Sequence, residues 1–271
     1  MQQPQLSPVF SVIDLPSAAS FSALFADPRF PIALGIAGLA GLVRGFSGFG
    51  SALIYVPLMS AVYDPKVAAA SFVIGDIITG SVFLAGVWRK AHYRDVVIMA
   101  AAALAAAQFG TLILQHADPI TLRWGLSIFV GLVVAVLASG WRYYGKPHLS
   151  ITIGVGIFAG LLGGALQISG PPIIVYWLGS GFPVDVLRAN FFAYFSLFSL
   201  GTLVTYAAHG LVTAFVLTLA PCTTVMTIGG TWLGSRLFRI ASERTYRLVG
   251  YAIVAISALI AMPLLDPIFH R

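Results

Sequence analysis

Between residues 31 and 265 the sequence is a succession of apolar runs that a water-soluble domain has no means of burying. Six of them, near 67–87, 96–115, 122–140, 186–207, 213–234 and 247–265, are close to the ~20 residues a helix needs to cross a hydrocarbon core about 30 Å thick. Hydrophobic residues make up 59% of the chain and charged ones 9%, against roughly 45–50% and 25% in soluble domains, which excludes a soluble enzyme. The short alternating strands of an outer-membrane barrel are absent. The expected class is an all-α integral membrane protein of the cell inner membrane.

Two further apolar segments, 31–62 and 150–180, are each over 30 residues long and are interrupted near the middle by glycine-rich sequence. As single helices they would extend about 46–48 Å, more than the membrane core requires. Lys and Arg gather in short cytoplasmic loops, so their distribution tests the alternatives. If all eight segments cross, the fourteen Lys and Arg outside the spans divide seven against seven. If 31–62 and 150–180 are re-entrant hairpins, ten gather on one side and leave Arg29, Lys66, Arg123 and Arg271 opposite. The hairpin reading makes each half one hairpin plus three transmembrane helices, with the second half inverted relative to the first. Residues 41–56 align without gaps on 160–175, with Gly41/Gly160, Leu42/Leu161, Gly45/Gly164, Ile54/Ile173 and Val56/Val175 identical. The expected plan is a non-cytoplasmic tail at 1–30, a first repeat at 31–140 and a second at 150–265, with both termini outside the cytoplasm. A short interfacial helix is expected near Ser17–Ala26.

Backbone that leaves the helix inside a bilayer must be satisfied by protein or by a watery cavity, so paired breaks in two halves mark a midplane binding site. The first break is Arg44-Gly-Phe-Ser-Gly-Phe-Gly-Ser51 and the second runs from Gly163 to Pro172. A short helix after each would direct its positive end at the hairpin tip, an arrangement that suits an anion. Ser51 and Ser169 are expected as N-caps and Pro171 or Pro172 in the first turn, with the glycines allowing a tight turn and close approach to a ligand. Arg44 is the cation inside an apolar span, and its planar guanidinium matches the oxygens of a carboxylate, sulfonate or phosphate. It has a second reading as the ion-pair partner of Asp76, and the two are compatible if a substrate anion displaces Asp76. Asp76 is the candidate proton carrier, with a permanent salt bridge as the other reading. The substrate-binding candidates are Arg44, Ser47, Gly48, Gly50, Ser51, Gln167, Ser169 and Gly170. Gln108 is a cavity-lining or helix-bridging amide, and Pro221 a kink for which Thr223, Thr224 or Thr227 can compensate.

The remaining polar residues carry less. Cys222 is a single cysteine, and the five histidines lie in or beside loops without metal-ligand spacing, so neither a metal nor another cofactor is expected. The net charge of +6 is spread over connections as a topology signal, so no nucleic-acid partner is expected. Trp88, Tyr93, Trp141, Tyr143, Tyr144 and Tyr206 read as an interfacial belt. Gly-Phe-Ser-Gly-Phe-Gly lacks the strand, turn and partner His of a hydrolase loop, so no enzyme is expected. No Lys or Arg precedes Arg29, which argues against a signal peptide.

The doubled pattern, Gly41-x3-Gly45-x2-Gly48-x-Gly50 running to Pro57 and Gly160-x3-Gly164 with Gly170-Pro-Pro, resembles the sulfite exporter TauE/SafE family, also called toluene sulfonate uptake permeases. The resemblance extends over roughly 31–265 and includes the basic Arg236–Arg247 connection. It implies transport of sulfur-containing anions such as sulfite, sulfonates, sulfoacetate or thiosulfate, with Gly45, Gly48, Gly50, Gly164 and Gly170 matching the motifs. Ser51 and Gln167-Ile-Ser depart from the glycine runs of the family, and Arg44 lies outside its pattern. The expected function is therefore a sulfur-anion transporter whose halves rock against each other around a midplane site, with proton coupling and a homo-oligomer left open. Its rivals are a passive anion channel and a transporter of small carboxylates.

Overall fold

The computed structural model describes residues 15–47, 50–139 and 148–237 and isolated positions between 256 and 263, and every described regular element is a helix. A short α1 (Ala18–Ala26) turns by 88° into α2 (Phe30–Ser47), which α3 (Ala52–Val62) follows across the first break. Then come α4 (Pro65–Val87), α5 (Tyr93–His116) and α6 (Pro119–Ala138). The second half repeats the order with α7 (Leu149–Leu166), α8 (Gly170–Leu178), α9 (Val184–Ala208) and α10 (Ala214–Leu237). The bounds of α2 and α7 and the starts of α4 and α9 recur 119 residues apart (30 to 149, 47 to 166, 65 to 184). Most of the expected span at 247–265, the first 14 residues of the tail, Gly48, Trp141, Tyr143 and Tyr144 lie outside the described residues.

Contacts at the helix ends define two poles. At one, the Arg29 guanidinium lies 4.8 Å from the Tyr63 ring centroid, Tyr63 meets Phe215 edge-on at 5.2 Å, and Gln115 donates to the His209 carbonyl at 3.4 Å. The start of α2, the ends of α3, α5 and α9 and the start of α10 therefore share this Tyr63 pole. At the other, Lys90 pairs with Asp185 at 3.2 Å and the His92 ring packs 5.5 Å from Phe182. Thr152, in the first turn of α7, is bonded to the hydroxyl of Tyr176 near the end of α8 at 2.6 Å. Thus α2 starts and α3 ends at the Tyr63 pole, and α7 starts and α8 ends at the Lys90 pole.

The helices that precede the two breaks, α2 and α7, are each fastened to a helix from the other half of the chain, α10 and α5. A Cβ on Gly41 or Gly45 would strike the backbone of Thr227 or Thr231 in α10, and one on Gly230 or Gly234 would strike Gly38 or Leu42 in α2. In the other half, Gly156, Gly160 and Gly164 of α7 lie against the backbone of Met99, Ala103 and Ala107 in α5. These small residues let the backbones meet, which is how helices pack where lipid supplies no hydrophobic drive. Gly41, Gly45, Gly160 and Gly164 therefore lie inside helices and serve packing, which corrects the reading of Gly45 and Gly164, expected within the two breaks. The helices α4 and α9 pack on each other at the centre, α4 also against α10 and α9 against α5, between these two pairs. Large apolar residues such as Phe109, Leu132, Phe158, Val204 and Val225 are exposed on the outside, the surface that a bilayer covers.

Three further expectations are corrected. Arg123, assigned to a connection, is buried near the start of α6. Tyr206, assigned to the interfacial belt, is fully buried, because its hydroxyl finds two partners inside. At Pro221, inside α10, it is the compensation that differs: Thr223, Thr224 and Thr227 donate to Leu219, Ala220, Thr223 and Ala37 carbonyls, not to that of Leu217, which the proline leaves without its usual donor.

Candidate functional site

The two breaks converge on one cavity of about 70 Å³. The first contributes Arg44, Gly50 and Ser51, the second Gln167, Ser169 and Gly170, and Asp76 closes one wall. Seven of the nine residues singled out from sequence therefore line one space. Ser47 is the last residue of α2.

Local backbone chemistry explains the turns. Gly50 has a φ of 91°, a conformation open to glycine, and delivers the chain into α3, where the amides of Leu53 and Tyr55 bond to the Gly50 and Ser51 carbonyls. At the second break Gln167 itself takes the left-handed conformation, with φ 57° and ψ 23°. That geometry costs a residue other than glycine roughly 1–2 kcal/mol. Its side chain offsets this, since Nε2 donates to the Tyr206 hydroxyl at 3.0 Å, which in turn donates to the Gly164 carbonyl at 2.8 Å. Pro171 and Pro172 occupy the first turn of α8, where no amide proton is needed. Ser51 and Ser169 do stand at the N-cap positions of α3 and α8, but neither side chain makes the capping bond, because both residues are already helical in conformation. The Ser51 hydroxyl instead accepts from Arg44 Nη1 at 3.4 Å.

The charges lie at the wall of the cavity. Arg44, in the last turn of α2, donates through Nη1 to Asp76 Oδ1 at 2.5 Å, and Ser199 of α9 donates to Asp76 Oδ2 at 2.7 Å. The side chains of the pair are only 9% and 8% exposed, so each charge depends on the other for compensation. Asp76 thus ties α4 to the first hairpin and to α9. Gln108 does not reach the site; it donates to Thr205 at 2.7 Å as a bridge between α5 and α9.

The rest of the lining is apolar and was not singled out from sequence. Phe191, Phe192, Phe195 and Phe198 of α9, with Phe72 and Ile174, form its aromatic and aliphatic side. Their spacing on α9 is that of an ordinary apolar helix face, so nothing in it distinguishes a cavity wall from a core. Ser199 likewise gave no signal, since only the fold places it beside Asp76. The result is a neutral ion pair at the edge of an apolar space, where an incoming anion can take the place of the carboxylate on Arg44.

Compared with known proteins, the chain matches the model of the family described as Sulfite exporter TauE/SafE over residues 33–261. No curated protein and no solved structure matches it.

Proposed function

The chain belongs to the sulfite exporter TauE/SafE family, a family of membrane transporters, and from that premise we propose that Arg44 is the ligand for a sulfur-containing oxyanion at a site between the two hairpin tips. The observation that carries the reading is a buried guanidinium on a cavity where both backbone breaks meet. A guanidinium fits sulfite, sulfonate or thiosulfate oxygens with paired N–H groups, and the phenylalanine wall suits the organic part of a sulfonate. Gln167, Ser169 and the backbone of Gly50 and Gly170 complete the polar lining.

The helices form two inverted repeats around this site, each a re-entrant hairpin and three spans, in an inner-membrane protein with both termini outside the cytoplasm. The opposite poles of the two hairpins and the 119-residue recurrence support this plan. A passive channel needs one continuous path free of bound charge, whereas an anion reaching Arg44 must first part the buried Arg44–Asp76 pair, which supports a carrier. Asp76 couples transport to protons by exchanging its bond to Arg44 for a proton when the anion arrives. Asp76→Asn is then expected to lose proton-driven accumulation and to keep anion exchange, and unchanged proton-coupled uptake would remove Asp76 from the mechanism.

Thermal-shift titration of purified protein with sulfite, thiosulfate, sulfoacetate, a toluene sulfonate, acetate and phosphate tests the substrate class. Saturable stabilisation by a sulfur oxyanion, absent in Arg44→Ala, is the expected result. Stabilisation by acetate alone would replace the substrate class with small carboxylates, and equal stabilisation of both proteins would make Arg44 structural.

A further inference from the structure

A second, smaller space of about 10 Å³ lies against the same ion pair. It shares Arg44, Ser51, Phe72 and Asp76 with the larger cavity, but its remaining wall is rich in hydroxyl groups. Tyr55 is bonded to Ser71 at 3.0 Å and donates to Thr223 at 3.2 Å, with Thr224, Thr227 and Thr79 beside them. The space is about what one water molecule occupies. A metal cation is a poor occupant, because the Arg44 guanidinium faces it.

The two spaces are set toward opposite poles. Ser71 is about 9 Å along α4 from the Tyr63 pole and Thr223 about 13 Å along α10 from the same pole. Phe191, in the larger cavity, is about 10 Å along α9 from the Lys90 pole. They also occupy equivalent positions in the two halves. At the 119-residue spacing of the helices, Tyr55 corresponds to Ile174 and Thr79 to Phe198, and in each pair the first residue lines the small space and the second the large one, while Phe72, the counterpart of Phe191, stands between the two.

We propose that the hydroxyl-lined space is the closed counterpart of the anion cavity, the passage through which the same anion reaches the Tyr63 pole. The proposal deepens the transport reading above and rests on it. Opening it requires Asp76 to leave Arg44 and the α4 face at Gly75 to part from Thr224, which a Cβ on Gly75 would meet at 2.9 Å. In the open form the hydroxyls turn their protons toward the anion and take over from the amides and Arg44 of the larger cavity. They supply polar donors without a second fixed charge, so the anion is passed on and not trapped.

Ser71→Cys and Thr227→Cys, each in a Cys222→Ala background and reconstituted in vesicles, test this with a membrane-impermeant methanethiosulfonate bearing a sulfonate. Asp118→Cys, exposed at the Tyr63 pole, marks the face from which the reagent is added. Labelling of Ser71→Cys or Thr227→Cys from that face, several-fold faster with sulfoacetate present, is expected, while Asp118→Cys labels at the same rate with or without sulfoacetate. Silence of both cysteines from that face, with Asp118→Cys labelled, overturns the passage, as does labelling from the Lys90 pole alone. Sulfite uptake by the Cys222→Ala parent is measured in parallel. Sulfoacetate and thiosulfate uptake are measured with it; absence of all three removes the transport reading and the passage with it, whereas uptake with both cysteines silent removes the passage only.

Discussion

Replacing Asp76 by Asn should weaken the empty protein and strengthen its grip on the anion. Asp76 accepts from Arg44 and from Ser199, and both members of the ion pair are buried. Removing the negative charge leaves the guanidinium without compensation, a change that costs about 3–5 kcal/mol for a buried pair. The unfolding temperature of the ligand-free variant should fall accordingly. An anion that binds Arg44 no longer has to displace a carboxylate, and it supplies the missing charge. A hydrogen bond to a charged group contributes about 1.5–3 kcal/mol, equivalent to a roughly 10- to 100-fold gain in affinity. The Asn side chain keeps one oxygen that accepts from Arg44 or Ser199, so the gain should lie near the tenfold end. Isothermal titration of sulfite and sulfoacetate into wild type, Asp76→Asn, Arg44→Ala and the double variant measures this directly. The double variant should be more stable than the sum of the single losses implies, because no lone charge is left buried. Unchanged or weaker anion binding by Asp76→Asn would refute competition between carboxylate and substrate at Arg44.

Further tests address the scaffold. Gly160→Ala should lower the unfolding temperature in detergent because its Cβ would strike the Ala103 backbone, whereas Gly35→Ala, where nothing lies within 4 Å, should be neutral or stabilising by about 0.5–1 kcal/mol. Tyr206→Phe removes the hydroxyl that holds both Gln167 and the Gly164 carbonyl, and should cost about 1–3 kcal/mol in denaturation while loosening the second hairpin tip. At the Tyr63 pole the Arg29 guanidinium holds the Asp27 carboxyl below its ordinary value. The stability it contributes is therefore present above the ordinary carboxylate range and is lost as pH falls through the lowered value. The difference in melting temperature between wild type and Asp27→Asn should accordingly be present at neutral pH and vanish in acid.

Much of this architecture is legible in the sequence because lipid imposes so simple a rule. The apolar runs near 67–87, 96–115, 186–207 and 213–234 fall on α4, α5, α9 and α10 to within a few residues, and the two long segments break where the breaks were expected. The site residues Arg44 and Asp76 stand out because charges inside apolar runs are rare. The phenylalanine wall is invisible, since a side chain facing a cavity and one facing a core obey the same helical spacing. Tyr206 and Arg123 were misplaced for a related reason: position near the end of a run suggests an interface, but only tertiary packing decides whether the residue points inward. Gly45 and Gly164 read as part of the breaks because sequence shows a missing side chain without showing which helix fills the space.

That last feature bears on how the molecule is assembled. With α2 locked to α10 and α7 locked to α5, each arm belongs mechanically to the half in which it is not encoded. The rigid bodies of any transport cycle are then composites that straddle the sequence midpoint, and simple rocking of one half on the other would tear both seams. A polypeptide ending near residue 140 would leave the glycine stripe of α2 facing lipid with no helix to meet it. Such a fragment should fold only when the complementary fragment is made beside it, and the hinge is to be sought between the seams and the central α4–α9 contact, not in the connection that joins the halves.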